Sequence, residues 1–244
     1  MSEPIRNDQL ALICGESGTG KSASLRNIED QPSWFYANAE AGKRLPFKSG
    51  FQELKLEDPY QAYELFDVGK DDPNCKGAIV DTITFLMDML ETQYVIPATN
   101  TQKAWGDFAQ FFKVLMQQKV VAFNKPTLFL AHTRSDLDET AMEMKTSVPV
   151  KGSLKNNGIE AYFSTVVSTK KVALKDLKDY ENDLLNITED DEIVGFKHVF
   201  QTRLTKKTIG ERIRSPMGMF SRNETYIDND AQLLLNRLNE FYGS

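Results

Sequence analysis

The residues Gly15-Glu16-Ser17-Gly18-Thr19-Gly20-Lys21-Ser22 fit the pattern G-x-x-x-x-G-K-[ST]. In that pattern glycines let backbone N–H groups close around phosphates, the lysine reaches the terminal ones and the serine hydroxyl faces Mg²⁺. At ordinary residue usage a random chain of this length shows it roughly once in a hundred. Phosphate binding is thereby assigned to Gly15, Glu16, Ser17, Gly18, Thr19, Gly20, Lys21 and Ser22. Three more residues have types that such a site needs. Asp81 ends the apolar run Gly77-Ala78-Ile79-Val80, where a carboxylate can join Ser22 in holding Mg²⁺; it can also cap the helix that follows. Glu40 lies just past Trp34-Phe35-Tyr36-Ala37-Asn38 and is the candidate to align an attacking water. His132 ends Thr127-Leu128-Phe129-Leu130-Ala131 and can sense a γ-phosphate through a hydrogen bond.

These side chains must be carried on strand ends, and the chain has the elements for it. Leu10-Ala11-Leu12-Ile13-Cys14 enters the glycine-rich loop as a buried strand, and residues 22–28 leave it with helical spacing. Further strands are expected at 34–38, 50–56, 77–81, 127–132 and 161–168, and helices at 58–68 and 83–94. Asn100-Thr101 caps another helix, whose Trp105, Phe108, Phe112, Leu115 and Met116 form a core face. Strands alternating with helices predict an α/β fold with a mainly parallel sheet and right-handed crossovers. Ligand groups then gather at the carboxyl edge. From 133 to 159 the pattern stops, and a mobile loop is expected. Residues 196–203 and 208–214 read as a β-hairpin within an extension over 194–222, and Asp228-Asn229-Asp230 caps a closing helix to Tyr242. One domain over 1–244 is the simplest reading.

The 244 residues carry a net charge of −6, which argues against wholesale coating of nucleic acid. From Lys145 to Arg222, however, 14 Lys and Arg stand against 10 Asp and Glu, leaving 15 against 25 elsewhere. A local phosphate-facing surface and a merely solvated one are both compatible with that excess. No run reaches membrane-spanning length, and Met1 to Asp8 lacks the apolar core of a signal peptide. Cys14 and Cys75 match no metal or redox spacing and suit a reducing compartment. The expected location is the cytoplasm, with no membrane partner.

Together Glu40, Val80-Asp81-Thr82-Ile83 and Leu128-Phe129-Leu130-Ala131-His132 resemble the RecA-like branch of P-loop ATPases. With Trp105-Gly106-Asp107 and the basic run 202–212 added, most of the chain is similar to the small phage-encoded ATPases of the Sak recombination group. The resemblance implies a RecA-like core with a C-terminal β-hairpin and closing helix. It also implies ATP and Mg²⁺ as cofactors, a homo-oligomer, single-stranded DNA as partner and a place in the host cytoplasm. Lys21, Glu40 and His132 would be catalytic. Lys206, Lys207, Arg212 and Arg214 would complete a neighbour's site as arginine fingers do. Lys145, Lys151 and Lys155 in the loop would meet DNA phosphates, although 133–159 has no aromatic residue to stack on bases. A single-strand-binding or annealing protein is a further partner left open.

Other classes remain. Thr133-Arg134-Ser135-Asp136 echoes a guanine-reading [NT]-K-x-D element, but Arg134 replaces its lysine and Thr84 stands where D-x-x-G needs glycine. A small-molecule kinase would need an acceptor pocket and an arginine-rich lid. A non-enzymatic scaffold gated by nucleotide would leave Glu40 without a catalytic role.

Overall fold

Runs such as Leu10-Ala11-Leu12-Ile13 are apolar at every position, which suits strands buried on both faces. In a computed structural model, which describes residues 6–140 and 142–243, they form the middle of an eight-stranded sheet. The strands are β1 (Leu10–Gly15), β2 (Trp34–Asn38), β3 (Gln52–Lys55), β4 (Gly77–Asp81), β5 (Thr127–His132), β8 (Thr165–Ala173), β9 (Phe196–Gln201) and β10 (Tyr226–Asp228). A separate pair, β6 (Arg134–Asp138) and β7 (Glu143–Ser147), forms a second sheet. The main order is β10-β9-β8-β1-β5-β4-β2-β3. From β8 to β3 every neighbour is parallel, whereas β8–β9 and β9–β10 are antiparallel. Within these strands side chains alternate between two cores. Leu12, Cys14, Val80 and Phe129 enter one; Ala11, Ile13, Ile79, Leu128 and Leu130 enter the other. At one edge β3 is exposed along its length, and its Glu53 and Lys55 discourage pairing with another chain.

Helices α1 (Gln61–Asp71), α2 (Ile83–Leu90) and α3 (Thr101–Val114) cover the first face. Thr82 caps α2 by accepting from the Phe85 N–H, and Asn100 caps α3 by accepting from Lys103 at 3.0 Å. Both run on into wider π-type turns, to Val95 and Val120. Phe108, Phe112, Leu115 and Met116 are buried and Trp105 packs beside them, so the expected core face is present. Truncating a ring such as Phe112 to alanine costs about 3–5 kcal/mol in a core of this kind. The other face is closed by the C-terminal helix Ala231–Tyr242, through Leu234, Leu235 and Leu238. Asp230 caps it, accepting from Gln232 at 2.9 Å.

The helix expected after the glycine-rich loop is present, as a 3₁₀ helix over Ser22–Asn27, while three other expectations need correction. Ser24 turns its hydroxyl onto the Lys21 carbonyl at 2.6 Å, and Arg26 and Asn27 reach across to Asn229 and Asp230. Local side-chain bonds of this kind compete with a continuing helix. Within 133–159 the described residues include the β6–β7 hairpin and a short helix over Leu154–Asn157, so the stretch is not structureless. The strand expected at 161–168 begins only at Thr165 and runs on to Ala173, after a 3₁₀ turn over Ile159–Tyr162. Finally, 208–214 does not pair with β9, whose partners are β8 and β10. The Gln201 side chain turns the chain by bonding Arg203 O and Thr208 Oγ1. Thr146 N then donates to Gly210 O, and Arg214 bridges to Val166. A Cβ on Gly210 would lie 2.0 Å from the Met144 oxygen, so only glycine allows this approach to β7.

The signal-peptide reading of the N-terminus falls largely on residues 1–5, which together with 141 and 244 lie outside the described residues. Among the described residues no helix is long and apolar enough to cross a membrane.

Candidate nucleotide site

The glycine-rich loop leaves β1 at Gly15, pressed against β8: a Cβ there would meet Thr169 Oγ1 at 2.2 Å and Thr169 O at 2.8 Å. Gly18 (φ 76°) and Gly20 (φ 103°) supply the left-handed turns that a side chain would oppose. Thr19 Oγ1 donates to Glu16 O at 2.7 Å, closing the loop on itself. Lys21 folds back across it, and its ammonium donates to Gly15 O at 3.0 Å and Glu16 O at 2.8 Å. Burial pushes its pKa down, though Asp81 and Glu40 oppose that shift.

Asp81, at the end of β4, is 2% exposed. Its Oδ2 accepts from the Ser22 and Tyr36 hydroxyls, each at 2.9 Å. Its Oδ1 is buried and has no hydrogen-bond partner among the described residues. Burial raises the Asp81 pKa, and burial followed by the Asp81 charge raises that of Tyr36. The Asp81–Thr82 peptide is cis.

Strand β5 runs between β1 and β4 and sets His132 between the loop and Glu40. The His132 backbone N–H donates to Thr84 Oγ1 at 2.9 Å, and its ring packs edge-on to Phe85. A carboxylate can only accept, so His132 Nε2–H donates to Glu40 Oε1, at 3.1 Å. Lys43 Nζ donates to Glu40 Oε2 at 2.8 Å. The His132 bond first, and then Lys43, hold the Glu40 carboxyl down at about 2, against the opposing effect of burial.

Loop, strand tips and the 43–46 turn enclose a cavity of about 270 Å³, lined by Lys21, Ser22, Glu40, Lys43, Asp81 and His132 among others. No family model matches this chain, and no curated protein does. The site therefore stands on its geometry: a glycine-rich loop carrying a lysine, a buried carboxylate with one oxygen unmet, and a second carboxylate on the same rim. Among the described residues no group of three or more His, Cys, Asp or Glu could hold a metal. A cation at Ser22 and Asp81 would take its remaining ligands from phosphate oxygens and water. The unmet Oδ1 of Asp81 fits that role.

Every residue from Gly15 to Ser22, with Glu40, Asp81 and His132, thus falls in one region, whereas the other candidates do not. Arg212 is bound to Asn157 O and to Glu160, a carboxylate 1% exposed that also accepts from Val148 N. Lys145 is paired with Asp138 and Lys151 with Glu91. Lys207 lies 3.7 Å from Asp176, while Lys206, Arg214 and Lys155 are exposed. Lys151, Lys155 and Arg212 border a separate cavity of about 510 Å³ beside α2, which shares no residue with the phosphate loop.

Sequence reasoning missed several side chains that build the site, Thr169 beside Thr19 among them. Tyr36 buttresses Asp81, and its place two residues before Asn38 on one strand face is the only local sign of it. Lys43, three residues past Glu40 after Ala-Gly, carried a turn signal. His198 Nδ1 bonds Thr19 O at 2.9 Å and Asn229 Nδ2 donates to Gly20 O at 2.9 Å, contacts from far along the chain with no local signature.

Proposed function

We propose that this chain is a Mg²⁺-dependent ATPase on a RecA-like core. The observation that carries the reading is Asp81: two hydroxyls, one from the phosphate loop, meet one buried oxygen while the other oxygen lacks a partner. It is supported by Glu40 and His132, which follow β2 and end β5 on either side of β4 at the same parallel edge. The loop N–H groups and Lys21 would bind the phosphates, and Ser22 with Asp81 would hold Mg²⁺. When bound, the cation neutralises charge developing on the phosphate oxygens. Glu40 orients the attacking water, and His132 senses the terminal phosphate through a hydrogen bond.

A carboxylate held at about 2 is a weak base at neutral pH, so the bonds to His132 and Lys43 must loosen before Glu40 takes a proton. That engagement is also the one observation favouring the second reading, a scaffold that binds ATP without hydrolysing it. The resemblance to the Sak-group ATPases extends the proposal to a homo-oligomer acting on single-stranded DNA in recombination or annealing. With Lys145, Lys151 and Arg212 already paired, Lys155, Lys206 and Arg214 are the stronger candidates for phosphate contact or action across an interface, together with Lys207, whose pair with Asp176 is long and exposed.

The test is ATP turnover with and without single-stranded DNA. Glu40→Gln is expected to bind ATP and fail to turn it over. Unchanged turnover in Glu40→Gln removes Glu40 from the chemistry, and tight binding without turnover in the unaltered chain selects the scaffold.

A further inference from the structure

The turn after β2 is built more firmly than a surface loop requires. Asn38, 1% exposed, accepts from the Glu40 N–H at 3.0 Å and donates through Nδ2 to Lys43 O at 3.0 Å. Asn38 is itself anchored by a 2.7 Å bond to Glu53 Oε1. The Lys43 N–H closes on Glu40 O at 3.0 Å. Between them Ala41 (φ 53°) and Gly42 (φ 76°) both lie in the left-handed region. Alanine is strained there, and such strain persists where the surroundings over-determine it. The consequence is that chain direction reverses and the Lys43 ammonium returns to the Glu40 carboxylate, on the wall of the cavity that also holds Lys21 and Asp81.

An exposed lysine three residues from a glutamate is ordinarily a weak surface pair. Here its partner carboxylate is only 9% exposed and faces the phosphate loop. Lysine is a compact charge on a flexible stem, able to exchange one anion for another within reach. A triphosphate with its Mg²⁺ still brings net negative charge into the cavity, and the terminal phosphate is the part that a diphosphate lacks.

We propose that Lys43 reads the terminal phosphate: it holds Glu40 until ATP binds, then moves to the γ-phosphate, and so frees Glu40 Oε2 for water. This rests on the ATPase reading and adds to it a residue that discriminates triphosphate from diphosphate. With ADP, Lys43 stays on Glu40.

Equilibrium binding of Mg²⁺ with a non-hydrolysable ATP analogue, and of Mg²⁺ with ADP, tests this on the full chain, on Lys43→Met and on Lys43→Arg. The preference for the analogue over ADP is expected to fall about tenfold in Lys43→Met, a charge-assisted contact being lost, with ADP affinity kept within about twofold. Lys43→Arg restores most of the preference. Glu40→Gln, which releases Lys43, tightens analogue binding, and that gain disappears in the Glu40→Gln/Lys43→Met double variant. An unchanged preference in Lys43→Met overturns the role of Lys43 and leaves the ATPase reading standing, as does equal loss of analogue and ADP. Failure of the unaltered chain to bind either nucleotide overturns both.

Discussion

Two regions of the molecule handle charge in opposite ways. At the tips of β2, β4 and β5, groups converge on an open cavity, and Asp81 keeps an oxygen unmet although it is almost wholly buried. Around β6, β7 and 203–214, Lys145, Lys151 and Arg212 are each answered by a carboxylate of the same chain. The first region keeps binding capacity in reserve; the second spends most of its cations on holding itself together. A basic composition over 145–222 therefore does not translate into a basic surface of the same size.

Arg212 breaks or sharpens this contrast most strongly. Its loss strands Glu160 in the interior, so Arg212→Ala is expected to lower unfolding stability by about 3 kcal/mol in urea titrations, the guanidinium's partial exposure keeping the effect toward the low end for a buried pair. Arg212→Met with Glu160→Gln recovers part of that loss. Unaltered stability together with lost turnover would instead make Arg212 a residue of the site. Asp81→Asn acts with the opposite sign, because the unmet oxygen belongs to a charge that burial disfavours. It is expected to raise nucleotide-free stability by about 1 kcal/mol while abolishing Mg²⁺-dependent nucleotide binding, a trade of function for stability.

The pH dependence separates the two carboxylates. Asp81 has its folded pKa raised above 3.8, so its penalty is absent below that value and sets in as pH rises through the folded pKa; the gain from Asp81→Asn vanishes in strong acid. Glu40 is depressed from 4.5 to about 2, chiefly by His132, so its contribution is full above 4.5 and is lost as pH falls toward 2. Thermal melts of Glu40→Gln should differ from the unaltered chain above pH 4.5 and converge on it below. Lys145→Ala gives the smallest effect. Its pair is exposed, and no resolvable shift of the denaturant midpoint is expected.

The same division marks what could be read before the fold was known. β1, β4 and β5 announced themselves because strands buried on both faces are continuous apolar runs, and their tips are Gly15, Asp81 and His132. The braces on the loop did not, because Thr169, His198 and Asn229 are brought to it from more than a hundred residues away. Charged Asp136 and Asp138 and the exposed Leu137–Met144 pair masked the β6–β7 hairpin, which has no buried face to set a pattern. Thr208 to Arg214 alternates like a strand, yet its bonds across the fold go to Thr146 and Val166, partners that only the folded chain supplies.

The central claim is that the glycine-rich loop and Asp81 grip a triphosphate together with Mg²⁺. Calorimetric titration of ATP into the chain, with and without Mg²⁺, tests it most directly, with Lys21→Ala as the comparison. Saturable binding that weakens when Mg²⁺ is removed, and that falls at least about 100-fold in Lys21→Ala, is the expected result. Binding of equal strength in Lys21→Ala, or indifference to Mg²⁺, would contradict the account.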